Sequence, residues 1–309
     1  MAVDTATRPA PPGPAPRARA QRGETARRQR SLVLGPGPVP RILGMAALIA
    51  MAAIWLLPMV WAAATSLKTE QDAVALPLSW IPETGFTLEQ YRAMFAEGDV
   101  QLWMFNSLVI AVAVTALTVV VSAPAAYAFS RTAFRGRRTL FVLTIAAIMV
   151  PPQLMIVPLF EQMAALNLVD TYAAVILPQL VMPVIVFILK RFFDNIPREL
   201  EEAARMDGAT NWRILVSVVL PLSRPILAAT SIFVFITAWN NYLWPFVVIT
   251  DPALMTLPVG IPNVLDSYGT VNAMQMAQSV IAAAPMVIVF MLFQRQIVRS
   301  VATTGLGGQ

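Results

Sequence analysis

The chain contains no cysteine and no histidine. That double absence removes disulfides, thiol nucleophiles, imidazole bases and the usual zinc sites together. Charge is scarce too: 13% of residues are charged, against about 25% in soluble domains. With 57% hydrophobic residues and a mean hydropathy of +0.66, the composition is that of an integral membrane protein. The long apolar runs hold no Asp or Glu. A proton-coupled carrier needs ionisable groups at membrane depth, so that class is disfavoured. There is no G-x-x-x-x-G-K-[ST], so the chain does not bind and split ATP through a P-loop. A membrane enzyme is the weakest reading, with no His, no Cys and no acid pair in a span.

What is present is apolar length. Six runs, about 42–65, 104–129, 139–160, 171–192, 225–249 and 275–294, each approach or exceed the ~20 residues a helical crossing needs. The expected fold is all-α: a polytopic membrane protein with six transmembrane helices. Its parts are a disordered tail over 1–41, a first helix and external loop over 42–103, a transmembrane domain over 104–295, and a C-terminal tail over 296–309. The apolar run from Ile42 to Ala64 is too long for a signal-peptide core of about 7–15 residues.

Lys and Arg are segregated, so the net charge of +5 is not a nucleic-acid signature. They fall in the tail, the 130–138 loop, the 190–224 loop and the C-terminus, with only Lys68 and Arg92 elsewhere. The positive-inside rule puts those segments and both termini in the cytosol. The tail arginines either touch anionic headgroups or serve only to set topology. On the outside, Thr87 to Gln90 fits a capping box for a short helix over 88–96.

One polar stretch interrupts the second half: PRELEEAARMDGATNWRILVSVVLP, Pro197 to Pro221. Pro197 suits a first helical position. Glu199, Glu201 and Glu202 suit the positive end of the helix dipole. Gly208 supplies a left-handed stop, and Thr210 or Asn211 can cap a second helix from Trp212. Arg198–Glu202 and Glu201–Arg205 are four apart, but exposed pairs of that kind contribute only about 0.3–0.5 kcal/mol. A solvated linker and a docking knob both fit.

EAARMDGA at 202–209 followed by VVLP at 218–221 resembles the EAA loop of ABC-importer permeases, with Val218 where Ile is common. PMVWAAATSLK (58–68), FNSLVIA (105–111), AAYAFSRTAFRGRR (125–138), MVPPQLMIVPLF (149–160), WNNYLWPF (239–246) and LPVGI (257–261) are similar to the MalG-like permeases of carbohydrate uptake. The resemblance implies a type I ABC importer (MetI-like) transmembrane domain. It implies that Glu202, Ala203, Ala204, Asp207 and Gly208 couple to an ATPase. The implied partners are a second, MalF-like permease subunit, two ATP-binding subunits and an extracytoplasmic sugar-binding protein. ATP and Mg would be used by the ATPase subunit, with no cofactor, metal or nucleic acid bound by this chain. A glycerol-3-phosphate-type importer and an energy-independent pore are the alternatives.

Asn240 and Asn241, near the end of the fifth run, are costly in hydrocarbon unless paired or hydrated. Trp239, Tyr242 and Trp244 around them read as an aromatic belt at the interface. The same stretch reads as a polar station on a translocation path, with Trp239, Asn240, Asn241 and, in the third run, Gln153 as its candidate residues. Eight prolines, Pro124, Pro151, Pro152, Pro158, Pro178, Pro183, Pro245 and Pro285, are candidate breaks in the spans.

Overall fold

A computed structural model describes residues 38–96, 99–266 and 272–306, and its regular elements there are all helical. They are α1 (Pro38–Thr65), α2 (Glu70–Val74), α3 (Glu89–Ala96), α4 (Val100–Arg131), α5 (Arg137–Ile148), α6 (Ile156–Ala165) and α7 (Tyr172–Ile176). Then come α8 (Pro183–Asp194), α9 (Arg198–Met206), α10 (Asn211–Leu222, with a π turn over Leu215–Val219), α11 (Arg224–Trp239), α12 (Leu243–Val248), α13 (Leu257–Asp266) and α14 (Asn272–Leu306). The expected tail lies outside the described residues as far as residue 37, and from Pro38 the chain is already helical. At the other end α14 runs through the stretch set apart as a C-terminal tail, to Leu306. Contacts divide the chain after Trp61. The core and the sites described below belong to the second unit, Ala62–Gln309.

Three described helices are long and apolar enough to cross a membrane unbroken, and six spans result if each bent helix pair counts as one. The bends separate the prolines that break helices from those that do not. Pro151 must leave the αR region because Pro152 follows it, and its ψ is 128°. The third run is therefore an L, with 100° between Arg137–Ile148 and Pro152–Ala165. Met182, before Pro183, is likewise extended, and the fourth span bends there by 45°. Pro124 and Pro285 stay inside α4 and α14. The fifth run was expected as one span over 225–249. It instead ends α11 at Trp239 and restarts as α12 at Leu243.

α4 is the central helix, packed chiefly against α8 and α11. It buries Trp103, Asn106, Ile110, Ala111, Val114, Thr118, Ser122, Ala123 and Ala126, a stripe at helical spacing. Lipid offers no hydrophobic drive between helices, so close packing of small residues has to hold them. Ala111 and Ala126 on α4 and Ala277 on α14 are fully buried. One approach is closer still. A Cβ on Gly260 of α13 would stand 2.2 Å from two ring carbons of Trp103. Trp103 cannot easily yield, because its indole N–H donates to the Pro252 carbonyl at 2.8 Å. Gly260→Ala should therefore cost about 1–3 kcal/mol, read as a lowered unfolding temperature in detergent. An unchanged midpoint would show that the ring moves freely.

The N-terminal end of α4 is tied by polar contacts. The Asn106 amide donates to the carbonyls of Ala253 (3.0 Å) and Met255 (2.9 Å) and accepts from the Tyr172 hydroxyl at 2.6 Å. Glu70 caps α14, accepting from the N–H groups of Asn272 (2.7 Å) and Ala273 (2.9 Å). Thr87 accepts from the N–H of Glu89, and the helix there begins at Glu89. Asp170 accepts from the Thr250 hydroxyl at 2.6 Å and from the N–H of Asp251 at 2.9 Å. The Thr250 hydroxyl first, then the two backbone N–H groups, hold its carboxyl below the usual range. A depressed folded-state pKa gives stability that is complete above the unfolded value of about 3.9 and lost as pH falls through the folded value. Asp170→Asn should flatten the acid limb of a plot of thermal stability against pH. An acid limb identical to the parent's would remove Asp170 as its source.

Candidate functional site

The C-terminal end of α4 meets the polar interruption. Arg131, the last residue of α4, sits against Glu201 of α9 with Nε 2.9 Å from Oε1, and the two side chains are 4% and 6% exposed. The N–H misses hydrogen-bond geometry, so the contact is an ion pair. The rest of the guanidinium donates to the carbonyls of Phe193, in the last turn of α8, and Ile196, just beyond it. Ser130 donates to Asp194 at 2.8 Å, and Asp194 holds Lys190 at 2.6 Å. Three chain segments are thus tied at one point: the end of α4, the end of α8 and the start of α9.

This corrects the local pairing expected from the spacing. In this region Glu201 pairs with Arg131 and Asp194 with Lys190, in place of Arg198–Glu202 and Glu201–Arg205. Arg205 instead lies 3.3 Å from Oδ1 of Asn211 across the turn. The local grammar otherwise holds. Pro197 sits one position earlier than expected, as the residue before the helix. Gly208 has φ +78°, a conformation glycine adopts without steric cost. Thr210 caps α10 by accepting from the N–H of Arg213.

With Glu201 turned inward, the other side of α9 faces out. Glu202, Ala203, Asp207 and Gly208 are exposed, and Ala204 packs partly against the core. Met206 is 89% exposed and Trp212 65%, one on each side of the turn. The motif did not single out either residue. Their signal was two large apolar side chains flanking a glycine turn in an otherwise polar stretch. α10 then meets α11 at 82°, so the knob projects across the end of a span.

The second candidate constellation lies at the break after α11. Asn241 donates to Oε1 of Gln179 at 2.8 Å, and Gln179 donates to the Val175 carbonyl at 2.7 Å. Gln179 sits between Pro178 and Pro183, so the breaks in two spans meet through these amides. Gln179 was readable as a lone amide among prolines in an apolar run, and was passed over. Asn240 is exposed, with its amide on the Ile236 carbonyl at 2.8 Å. Gln153 is exposed in a different break, between α5 and α6. Trp239 is 3% exposed, stacks on Phe235 and donates to the Ala282 carbonyl at 3.3 Å. Trp244 is 7% exposed and donates to the Ala174 carbonyl at 3.0 Å. The belt reading therefore fails for both tryptophans, since each N–H finds a partner inside the bundle. Tyr242 alone of the three is exposed.

Residues 119–303 match the family described as binding-protein-dependent transport system inner membrane component. The arabinooligosaccharides transport system permease protein AraQ of Bacillus subtilis is 34% identical over 82% of this chain and 92% of its own. The sulfoquinovosyl glycerol transport system permease protein SmoH of Agrobacterium fabrum is 38% identical over 82% and 89%. The trehalose/maltose transport system permease protein MalG of Thermococcus litoralis is 34% identical over 87% and 98%. Among solved structures, a chain of a bacterial ABC transporter importing the acidic polysaccharide alginate superimposes with a TM-score of 0.75 at 21% identity, covering 84% of this chain and 98% of that one. That last likeness is one of fold.

Proposed function

This chain belongs to the family of binding-protein-dependent transport system inner membrane components, and from that membership we propose how it works. It is the permease subunit of an ABC importer for sugars or oligosaccharides, the class named in the descriptions of AraQ and MalG. It forms half of the translocation path and has no ATP-splitting site of its own. The work arrives through α9, the Gly208 turn and α10, which dock on an ATPase subunit. ATP and Mg belong to that subunit. A second, different permease subunit and an extracytoplasmic binding protein complete the assembly.

The observation that carries this reading is the exposed knob bound to the core through a buried ion pair. A solvated linker needs no such tie. A lever does, because a push on α9 must reach α4 and α8 without being lost in side-chain motion. Closure of the ATPase pair pushes the knob inward, α4 and α8 follow, and the permease pair opens outward to the binding protein. The arginine-rich end of the second unit, from Arg131 to Arg138 and from Lys190 to Arg224, faces the cytosol, and so do both termini. Asn240, Asn241 and Gln179 lie on the path, where amides can exchange hydrogen bonds with hydroxyls.

The test is reconstitution. The complete assembly in liposomes should take up sugar only with ATP inside and binding protein outside. Flux through this chain alone, without any ATPase, would make it a pore and overturn the proposal. A thermal-shift screen of the cognate binding protein against sugars and glycerol phosphates separates the two substrate classes.

A further inference from the structure

Beside the knob, at the same arginine-rich end, lies a pocket of about 600 Å³ that coupling does not use. Its size falls within the ~300–1,000 Å³ range of small-molecule sites. Its rim is cationic, formed by Arg137, Arg138 and Lys190, and no acidic residue is among its lining. Lys190 is the one paired cation, held by Asp194 at 2.6 Å and lying 4.9 Å from the centre of the Phe141 ring. The Arg137 side chain donates to the Thr132 carbonyl at 3.1 Å. Arg138 is exposed and enters no ion pair among the described residues. Counting Asp194, two positive charges remain uncompensated.

Three phenylalanines, Phe129, Phe134 and Phe141, share the lining. Phe129 lies 5.5 Å from Phe141 and 6.2 Å from Phe134, and Phe141 stacks on Phe187 at 6.4 Å. The rings lead from the rim toward α8. The start of α5 adds to the rim. Gly136 precedes it with φ +84°, no side chain caps it, and no acid occupies its first turn. By contrast α2, α7 and α10 are each capped by a threonine. The Arg137 N–H donates to the Phe134 carbonyl at 3.3 Å, so a phosphate would meet the cations together with the other N–H groups of the first turn.

We propose that this pocket binds the phosphate of an anionic phospholipid of the inner leaflet, with the acyl chains leaving along the phenylalanine face. The pocket rests on the topology given above, not on the coupling role of α9. A lipid is favoured over free phosphate because the site is amphipathic. A bare ion would use the cations and leave the aromatic face unoccupied. Basic pockets between spans at the cytoplasmic side are suited to anionic headgroups.

The assembled transporter is purified, returned to nanodiscs of phosphatidylcholine with or without phosphatidylglycerol, and its retained lipid is read by native mass spectrometry. Wild type should keep phosphatidylglycerol in preference to phosphatidylcholine. Arg137→Ala with Arg138→Ala should lower that preference by about 30-fold, two basic side chains near an anionic surface. Arg137→Lys with Arg138→Lys should keep most of it, which guards against a folding defect. Equal retention by the alanine variant, or no lipid preference in wild type, overturns the proposal. Displacement of the lipid by millimolar inorganic phosphate would make the ligand a free ion and overturn it too. A Glu202→Lys transporter should bind lipid normally, so failure of the coupling reading would leave this result standing.

Discussion

Gly208→Pro and Glu202→Lys are expected to insert normally and to lose at least tenfold in ATP-driven uptake. The two act by different routes. Gly208 stands at φ +78° and donates its N–H to the Arg205 carbonyl at 2.9 Å. Proline fixes φ near −65° and has no N–H, so the turn between α9 and α10 cannot form. Nothing lies within 4 Å of a Cβ at this site. Gly208→Ala should therefore suffer only backbone strain, about 1–2 kcal/mol, and transport at an intermediate rate. Glu202 is exposed, so reversing its charge leaves the fold alone and acts on whatever docks there. Losing a charge pair at an interface costs about 2–5 kcal/mol, which is at least a tenfold loss of coupled uptake. ATP hydrolysis should persist without stimulation by the binding protein. Wild-type uptake in both variants would remove the knob from the mechanism.

The second large effect concerns the buried pair. Arg131→Leu leaves the Glu201 carboxylate in the interior and strips donors from two carbonyls of the α8 end. Removing one partner of a buried pair costs about 3–5 kcal/mol. Glu201→Leu should cost a similar amount by stranding the guanidinium. The double variant should be more stable than either single one, because the stranded charge is gone. Exchanging the two residues should not rescue, since a glutamate at 131 cannot donate to Phe193 and Ile196. Thermal unfolding of wild type, the two single variants and the double variant closes the cycle. Additive losses would mean that the pair is not energetically coupled, and that the lever has some other tie.

The knob was legible because its signals are local. Acids in the first turn, a glycine where φ must be positive and a threonine three residues before the N–H it caps all act within one or two turns. The direction of Glu201 was not legible. Four-residue spacing pointed to Arg205, while the actual partner is Arg131, 70 positions earlier in the chain. That choice depends on which helix end lies over α9. The prolines divide in the same way. Pro152 and Pro183 bend their spans because the preceding residue is extended, whereas Pro124 and Pro285 are carried inside continuous helices. Trp239 and Trp244 looked interfacial by composition, yet their N–H groups found carbonyls of α14 and α7.

The amino-acid sequence alone therefore determined the all-helical membrane class, the places of the apolar runs, the asymmetry of positive charge and the helix–turn–helix knob with its family resemblance. Each of these follows from hydropathy, from backbone preference or from a motif contained in a short window. The tertiary structure decided which glutamate points inward, which prolines bend a span, that Gln179 meets Asn241, and that three cations share a pocket with three phenylalanines. Those facts arise where helices far apart in the chain come together, and no local preference specifies a partner that only packing brings near.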